Sequence, residues 1–178
     1  MDIDILFFTI TWQIICKKLT KLMKEEHAYF KEWFIVAKKD VVKTLNQFLK
    51  GQYMGIHAYE HHIQKLTDPE IKRVFQRIQQ DHKNHALKVA ERIQNLGGVP
   101  VDDEGMIGVV QGYFGQFMIP DTTVGIIESA LKGEGYYGIE VSEEIVKGDL
   151  DPESRQLIEE ILDKDREHVH FLQHLARK

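Results

Sequence analysis

Six polar side chains interrupt stripes that ought to be apolar: Gln52, His82, His85, Glu134, Asp165 and His168. A helix that buries one face needs an apolar residue every three or four positions. The first stripe reads Leu45, Phe48, Leu49, then Gln52, then Ile56, Tyr59, Ile63 and Leu66. The second reads Ile71, Val74, Phe75, Ile78, then His82 and His85, then Val89, Ile93 and Leu96. The third runs through Val124, Ile127 and Leu131 to Glu134, then Gly138, Val141 and Ile145. The fourth runs through Ile158 and Ile161 to Asp165 and His168, then Leu172 and Leu175. A buried neutral polar group without a partner costs roughly 1–3 kcal/mol, and a bare carboxylate more. Two arrangements would satisfy these groups. Residues three apart on a helix share a face, so Asp165 with His168, and His82 with His85, could each grip one metal ion. Carboxylate and neutral imidazole together suit iron, zinc or manganese. The other arrangement is a closed hydrogen-bond network of the same side chains around a buried water.

The elements that must position these residues are written twice. At an offset of 82 to 83, Leu49 to Ile63 overlies Leu131 to Ile145, and Asp68 to His85 overlies Asp151 to His168. Each unit is helix, short turn, helix. In each turn an aspartate (Asp68, Asp151) can cap the next helix, and a proline (Pro69, Pro152) suits the first helical position. Glu70 and Glu153 then place negative charge at the positive helix end. The reading is four long helices, over 41–66, 69–96, 122–147 and 152–176, forming an antiparallel bundle of two hairpins joined by a long crossover. Within the crossover Gly105, Gly108, Gly112 and Gly115 recur every three or four residues, as on a short helix that lies close across the bundle. Because hairpin helices are antiparallel, Gln52 falls level with His82 and His85, and Glu134 with Asp165 and His168. Gln52 corresponds to Glu134 in the repeat, His82 to Asp165, and His85 to His168.

Composition bounds the rest. A chain of 178 residues, 43% apolar and 29% charged, is that of one globular domain with a real core. The net charge of −5, with bases and acids interspersed, disfavours a nucleic-acid partner. The single cysteine, Cys16, excludes an intrachain disulfide and a cysteine-built zinc site, and points to a reducing, cytoplasmic setting. The apolar run Ile3 to Cys16 is short for a membrane span and lacks the basic leader of a signal peptide. It reads as an extra amphipathic helix, as a leader upstream of a start at Met23, or as a surface anchor. Residues 1–40 are thus an extension, and 41–178 the bundle.

Two hairpins, a long crossover and an x-x-His pair in each second helix resemble the ferritin-like di-iron carboxylate superfamily. Its pattern is a Glu from each of two helices plus a Glu-x-x-His from each of the other two. The chain is most similar to small uncharacterised bacterial ferritin-like domains associated with stress or sporulation. The resemblance implies an all-α fold over about residues 41–178. It gives Glu134 the single-carboxylate role of the second half, Asp165 and His168 its Glu-x-x-His roles, and His85 the histidine role of the first half. Gln52 and His82 stand where the superfamily has glutamates. Two carboxylates instead of four would leave two divalent ions with about +2 uncompensated in a low-dielectric core. One ion on Glu134, Asp165, His168 and His85 is better balanced, with Gln52 and His82 as further ligands or as hydrogen-bond supports. Asp81 or Glu60, turned inward, would restore a two-ion site.

The resemblance implies an iron-binding protein, acting with oxygen or peroxide under oxidative or metal stress and assembling as a homo-oligomer, a dimer at the simplest. The competing expectation is a non-catalytic structural or interaction bundle that keeps the fold and has lost the site. His57, His61 and His62 read as solvated or hairpin-packing residues, and His170 and His174 as surface side chains. Tyr53, Tyr59, Tyr136 and Tyr137 read as core or rim residues near the polar layer.

Overall fold

The computed structural model describes residues 24, 38–102, 120–148 and 150–177. The apolar run at residues 3–16 and the four crossover glycines, Gly105, Gly108, Gly112 and Gly115, lie outside these. From Lys39 to Lys178 the chain forms one compact unit. Every element among the described residues is helical. Helix α1 occupies residues 38–65 and α2 Pro69–Asn95. A third rod is made of α3 (Thr123–Lys132), a π-helical stretch π1 (Gly133–Glu140) and α4 (Val141–Val146). Helix α5 spans Pro152–Leu175. Four rods with short turns inside each hairpin are the bundle expected from the stripes.

The turns obey the chemistry written into them. The Asp68 carboxylate accepts from the backbone N–H groups of Glu70 and Ile71, and Asp151 accepts from that of Ser154. Helix α2 ends in a glycine stop. Gly97, at φ +80°, donates to the Gln94 carbonyl, and Gly98 donates to that of Ile93. That pair of bonds satisfies two carbonyls the helix end would otherwise strand. Asn46 of α1 then clamps the departing chain, donating to the Val99 carbonyl and accepting from the Val101 N–H.

The core is cut in two. One apolar cluster joins Leu45, Phe48 and Leu49 of α1 to Val89 and Ile93 of α2 and to Ile158, Ile161 and Leu162 of α5. The other joins Tyr59 and Leu66 of α1 to Phe75 and Ile78 of α2, Ile126, Ile127 and Ala130 of α3, and Leu172 of α5. The polar layer lies between them along α2, the third rod and α5, and on α1 Gln52 sits among residues of the first cluster, Leu49 and Ile56.

The third rod differs from expectation. The stripe places Val124 and Val141 inside, yet they are exposed, and Ile126 and Ser142 are buried in their stead. The cause after Glu134 is the π turn, which takes up one more residue than an α turn. Before it, buried residues pair across the repeat at an offset of 82: Leu45 with Ile127, Phe48 with Ala130, Gln52 with Glu134. After it, Tyr59 pairs with Ser142, an offset of 83. The extra residue in the second repeat is absorbed inside π1.

Arg92, near the end of α2, ties the hairpins together. Its guanidinium donates to Ser154 Oγ (2.9 Å) and Asp151 Oδ1 (2.6 Å), and pairs with Glu153 Oε2 (2.6 Å). It thereby supports the capped start of α5. Burial opposes ionisation of Asp151, but Ser154 and Arg92 together hold its carboxyl below the ordinary value. Arg92→Ala is expected to cost about 1.5–3 kcal/mol of unfolding free energy, as loss of hydrogen bonds to a charged group does. Denaturant melts check this, and an unchanged midpoint would contradict the role.

Candidate metal centre

All six expected residues meet in the layer, and all are buried: Gln52, His82, His85, Glu134, Asp165 and His168. Each helix contributes at the height the repeat requires. Gln52 comes from α1, His82 and His85 from α2, Glu134 from π1, and Asp165 and His168 from α5. One ligand-capable atom each from His82, Glu134, Asp165 and His168 can be chosen so that all four lie within 4.8 Å of one another.

One side of the layer is closed by hydrogen bonds. His82 sets Nδ1 at 2.8 Å from Gln52 Oε1 and Nε2 at 2.9 Å from Glu134 Oε1. The Tyr59 hydroxyl donates to the same Glu134 oxygen at 2.8 Å. Burial works against protonating His82, but Glu134 beside it, with Asp165 and Asp81 farther off, pushes its pKa up to about 9. Both ring nitrogens then donate. Burial likewise opposes ionisation of Glu134, yet His82, His168 and the Tyr59 hydroxyl hold it below the ordinary carboxylate value.

The other side is open. Glu134 Oε2, both Asp165 oxygens, His85 Nδ1 and His168 Nδ1 are buried and receive no well-formed hydrogen bond. His85 Nδ1 stands 3.6 Å and His168 Nδ1 3.8 Å from Asp165 Oδ1. These gaps are too long for hydrogen bonds. Metal bonds of 2.0–2.2 Å would set neighbouring donors about 3–3.5 Å apart, so each of these two gaps would close by a few tenths of an ångström. Burial, and then the neighbouring His82 and His168, lower the His85 pKa to about 4, which leaves its ring neutral at pH 7. Burial also lowers that of His168. Burial, reinforced by Glu134 and Asp81 and opposed by His82 and by the nearby Gln52 amide, pushes the Asp165 carboxyl up to about 7. Neutral imidazoles beside strained carboxylates fit a cation.

Asp81 is not inside the layer. It is partly exposed and lies 3.0 Å from His168 Nε2, which donates to it. This bond fixes the tautomer whose Nδ1 lone pair faces Asp165, the usual support of a metal-binding imidazole. Glu60 is exposed and pairs with His57. Neither supplies the missing carboxylate. His170 and His174 are not buried, and neither lies in the layer. His62, read as solvated or hairpin-packing, is buried against Phe75 of the same hairpin, with its Nε2 3.2 Å from Ser129 Oγ. Burial lowers its pKa to about 4.

Two glycines make room for this layer: Gly138, which stands on the third stripe, and Gly55, which the first stripe does not include. A Cβ at Gly55 would sit 3.2–3.3 Å from three atoms of the His82 ring. A Cβ at Gly138 would sit 3.1 Å from Glu134 Oε2. Gly55 matches Gly138 only at the offset of 83, so the register slip itself marks the π turn that carries Glu134.

Four helical rods in two hairpins, with carboxylates and imidazoles meeting at mid-height, define a ferritin-like bundle. The chain belongs to the family described as a domain of unknown function, DUF2383, which it matches over residues 40–148. Solved structures share the fold. A dodecameric thioferritin, the bacterioferritin-related protein of Bacteroides fragilis, is 19% identical over 81% of this chain and 91% of its own, with a TM-score of 0.59. A Dps from Thermosynechococcus elongatus is 17% identical over 82% and 95%, with a TM-score of 0.61. A ferritin-like, diiron-carboxylate protein from Bacillus anthracis is 22% identical over 79% and 97%, with a TM-score of 0.56. At these identities the likeness is one of fold.

Gly55→Ala is expected to destabilise by about 1–3 kcal/mol, because the doubly hydrogen-bonded His82 ring has nowhere to retreat. Gly51→Ala, on the same helix with nothing within 4 Å, should instead gain up to about 1 kcal/mol from helix propensity. Equal effects of the two in thermal melts would mean that the Gly55 niche does not hold the ring.

Proposed function

We propose that the protein binds a divalent transition metal, iron(II) foremost, on Glu134, Asp165, His168 and His85, and serves in iron handling or in the oxidative or metal-stress response. The observation that carries this reading is the set of buried ligand-capable atoms without a well-formed hydrogen bond: Glu134 Oε2, Asp165 Oδ1 and Oδ2, which the Gln52 amide only approaches, His85 Nδ1 and His168 Nδ1. Leaving them unpaired would cost roughly 1–3 kcal/mol each, and one cation relieves all of them. The donors are oxygen and imidazole nitrogen without thiolate, a set that also accepts manganese or zinc. Bound iron would supply one-electron chemistry toward oxygen or peroxide. The chain's own part is to hold the donors, to exclude water with the apolar clusters on either side, and to fix His168 through Asp81.

The fold shared with the dodecameric thioferritin supports assembly into a homo-oligomer, for which a dimer is the smallest case. No helix among the described residues is long and apolar enough to cross a membrane. The single cysteine, Cys16, is what supports a cytoplasmic setting. One observation favours a second reading. The Gln52–His82–Glu134–Tyr59 chain is complete without a metal, as a non-catalytic interaction bundle would require.

Metal uptake separates the two readings. Iron(II) or manganese(II) at a hundred times its Kd should raise the unfolding free energy by about 2.7 kcal/mol, reversed by chelation. The pair Glu134→Ala with His168→Ala should abolish uptake, whereas His170→Ala with His174→Ala should leave it intact. Unchanged stoichiometry in the first pair would sink the assignment.

A further inference from the structure

The polar layer is lopsided, and the lopsidedness bears on how many ions it takes. On its closed side His82 offers no free nitrogen. Nδ1 is committed to Gln52 and Nε2 to Glu134, at 2.8 and 2.9 Å. The ring cannot readily turn away from either. A Cβ at Gly55 would already sit 3.2–3.3 Å from the ring, and the Tyr59 ring lies with its centroid 5.6 Å from that of His82. Gln52 adds an uncharged amide and no carboxylate. On the open side the unpaired atoms all belong to Glu134, Asp165, His85 and His168. Glu134 stands between the sides: its Oε1 accepts from His82 and Tyr59, and its Oε2 accepts nothing.

We propose that the layer is a one-ion site in which His82 and Gln52 are positioning residues for Glu134, not ligands, so that Oε2 is the only Glu134 atom presented to metal. This inference rests on the metal-binding reading above. Charge argues the same way. Glu134, Asp165, a doubly donating His82 ring and one divalent ion sum to about +1, and a second ion would raise this to about +3 in an apolar interior. The nearest further carboxylate, Asp81, is already engaged by His168 Nε2 at 3.0 Å.

The test uses the full chain, purified without a histidine tag, stripped of metal and titrated anaerobically with iron(II) and with cobalt(II). One ion per chain is expected, and X-ray absorption of the cobalt(II) form should count two imidazoles, from His85 and His168. His82→Gln should still bind one ion with the same imidazole count and about 10- to 100-fold lower affinity, the usual loss when a support to a ligand is removed. Gln52→Glu combined with His82→Glu supplies two further carboxylates and should raise the capacity to two ions. Two ions in the unaltered chain, or three imidazoles on its single ion, would overturn the inference and leave the metal-binding reading standing. No binding of either metal would overturn both. The two wild-type counts decide the matter even if a variant fails to fold.

Discussion

Burying a polar layer at mid-height in an apolar bundle is the constraint on which this structure depends. Gln52, His82, His85, Glu134, Asp165 and His168 are buried against two hydrophobic clusters, away from bulk solvent. Every group in the layer must therefore be paired by another side chain or by something bound. Half of the layer solves the problem internally, through the run from Gln52 by way of His82 to Glu134 and Tyr59. The other half does not, and its donors converge around Asp165, which is fully buried. A folded protein tolerates that cost when a ligand relieves it. This is why the unpaired atoms say more than the mere presence of histidines.

The backbone is bent to the same end. A straight α-helix through residues 133–140 would keep the first-half register and leave Val141, not Ser142, facing inward. The π turn shifts the rod by one residue at the position of Glu134. Gly138 leaves space beside the carboxylate, as Gly55 leaves space beside His82. Alanine is favoured over glycine by about 1 kcal/mol at each interior helical position. Glycines here mark places where close approach outweighs helix propensity. Remote contacts serve the layer as well. Arg92 fixes the start of α5, and with it the phase at which Asp165 and His168 face inward.

Much of this was legible in the sequence, because helical period and antiparallel pairing are strict. The interrupted stripes alone place Gln52, His82, His85, Glu134, Asp165 and His168 at one height, and the Asp-Pro-Glu turns fix where two helices begin. What escaped has physical reasons. Val141 fits a perfect 3.6-residue stripe, and only the change of offset from 82 to 83 betrays the register slip. His62 looks like one of a polar run, His61-His62, at a helix end; its burial depends on Phe75 and Ser129 of other helices. Sequence spacing likewise cannot say which atom of a side chain is already engaged. Both ring nitrogens of His82 are engaged, by Gln52 and Glu134, and Asp81 proves to be a partner of His168 where spacing allowed an inward ligand.

The most direct test of a metal site in this layer is diffraction from iron-loaded crystals, with data collected on both sides of the iron absorption edge. An anomalous peak bounded by Glu134, Asp165 and His168, within bonding distance of their open-side atoms, is the result expected. Iron found only on surface groups such as His170 and His174, with the layer unchanged, would contradict the account and leave the bundle a hydrogen-bonded core.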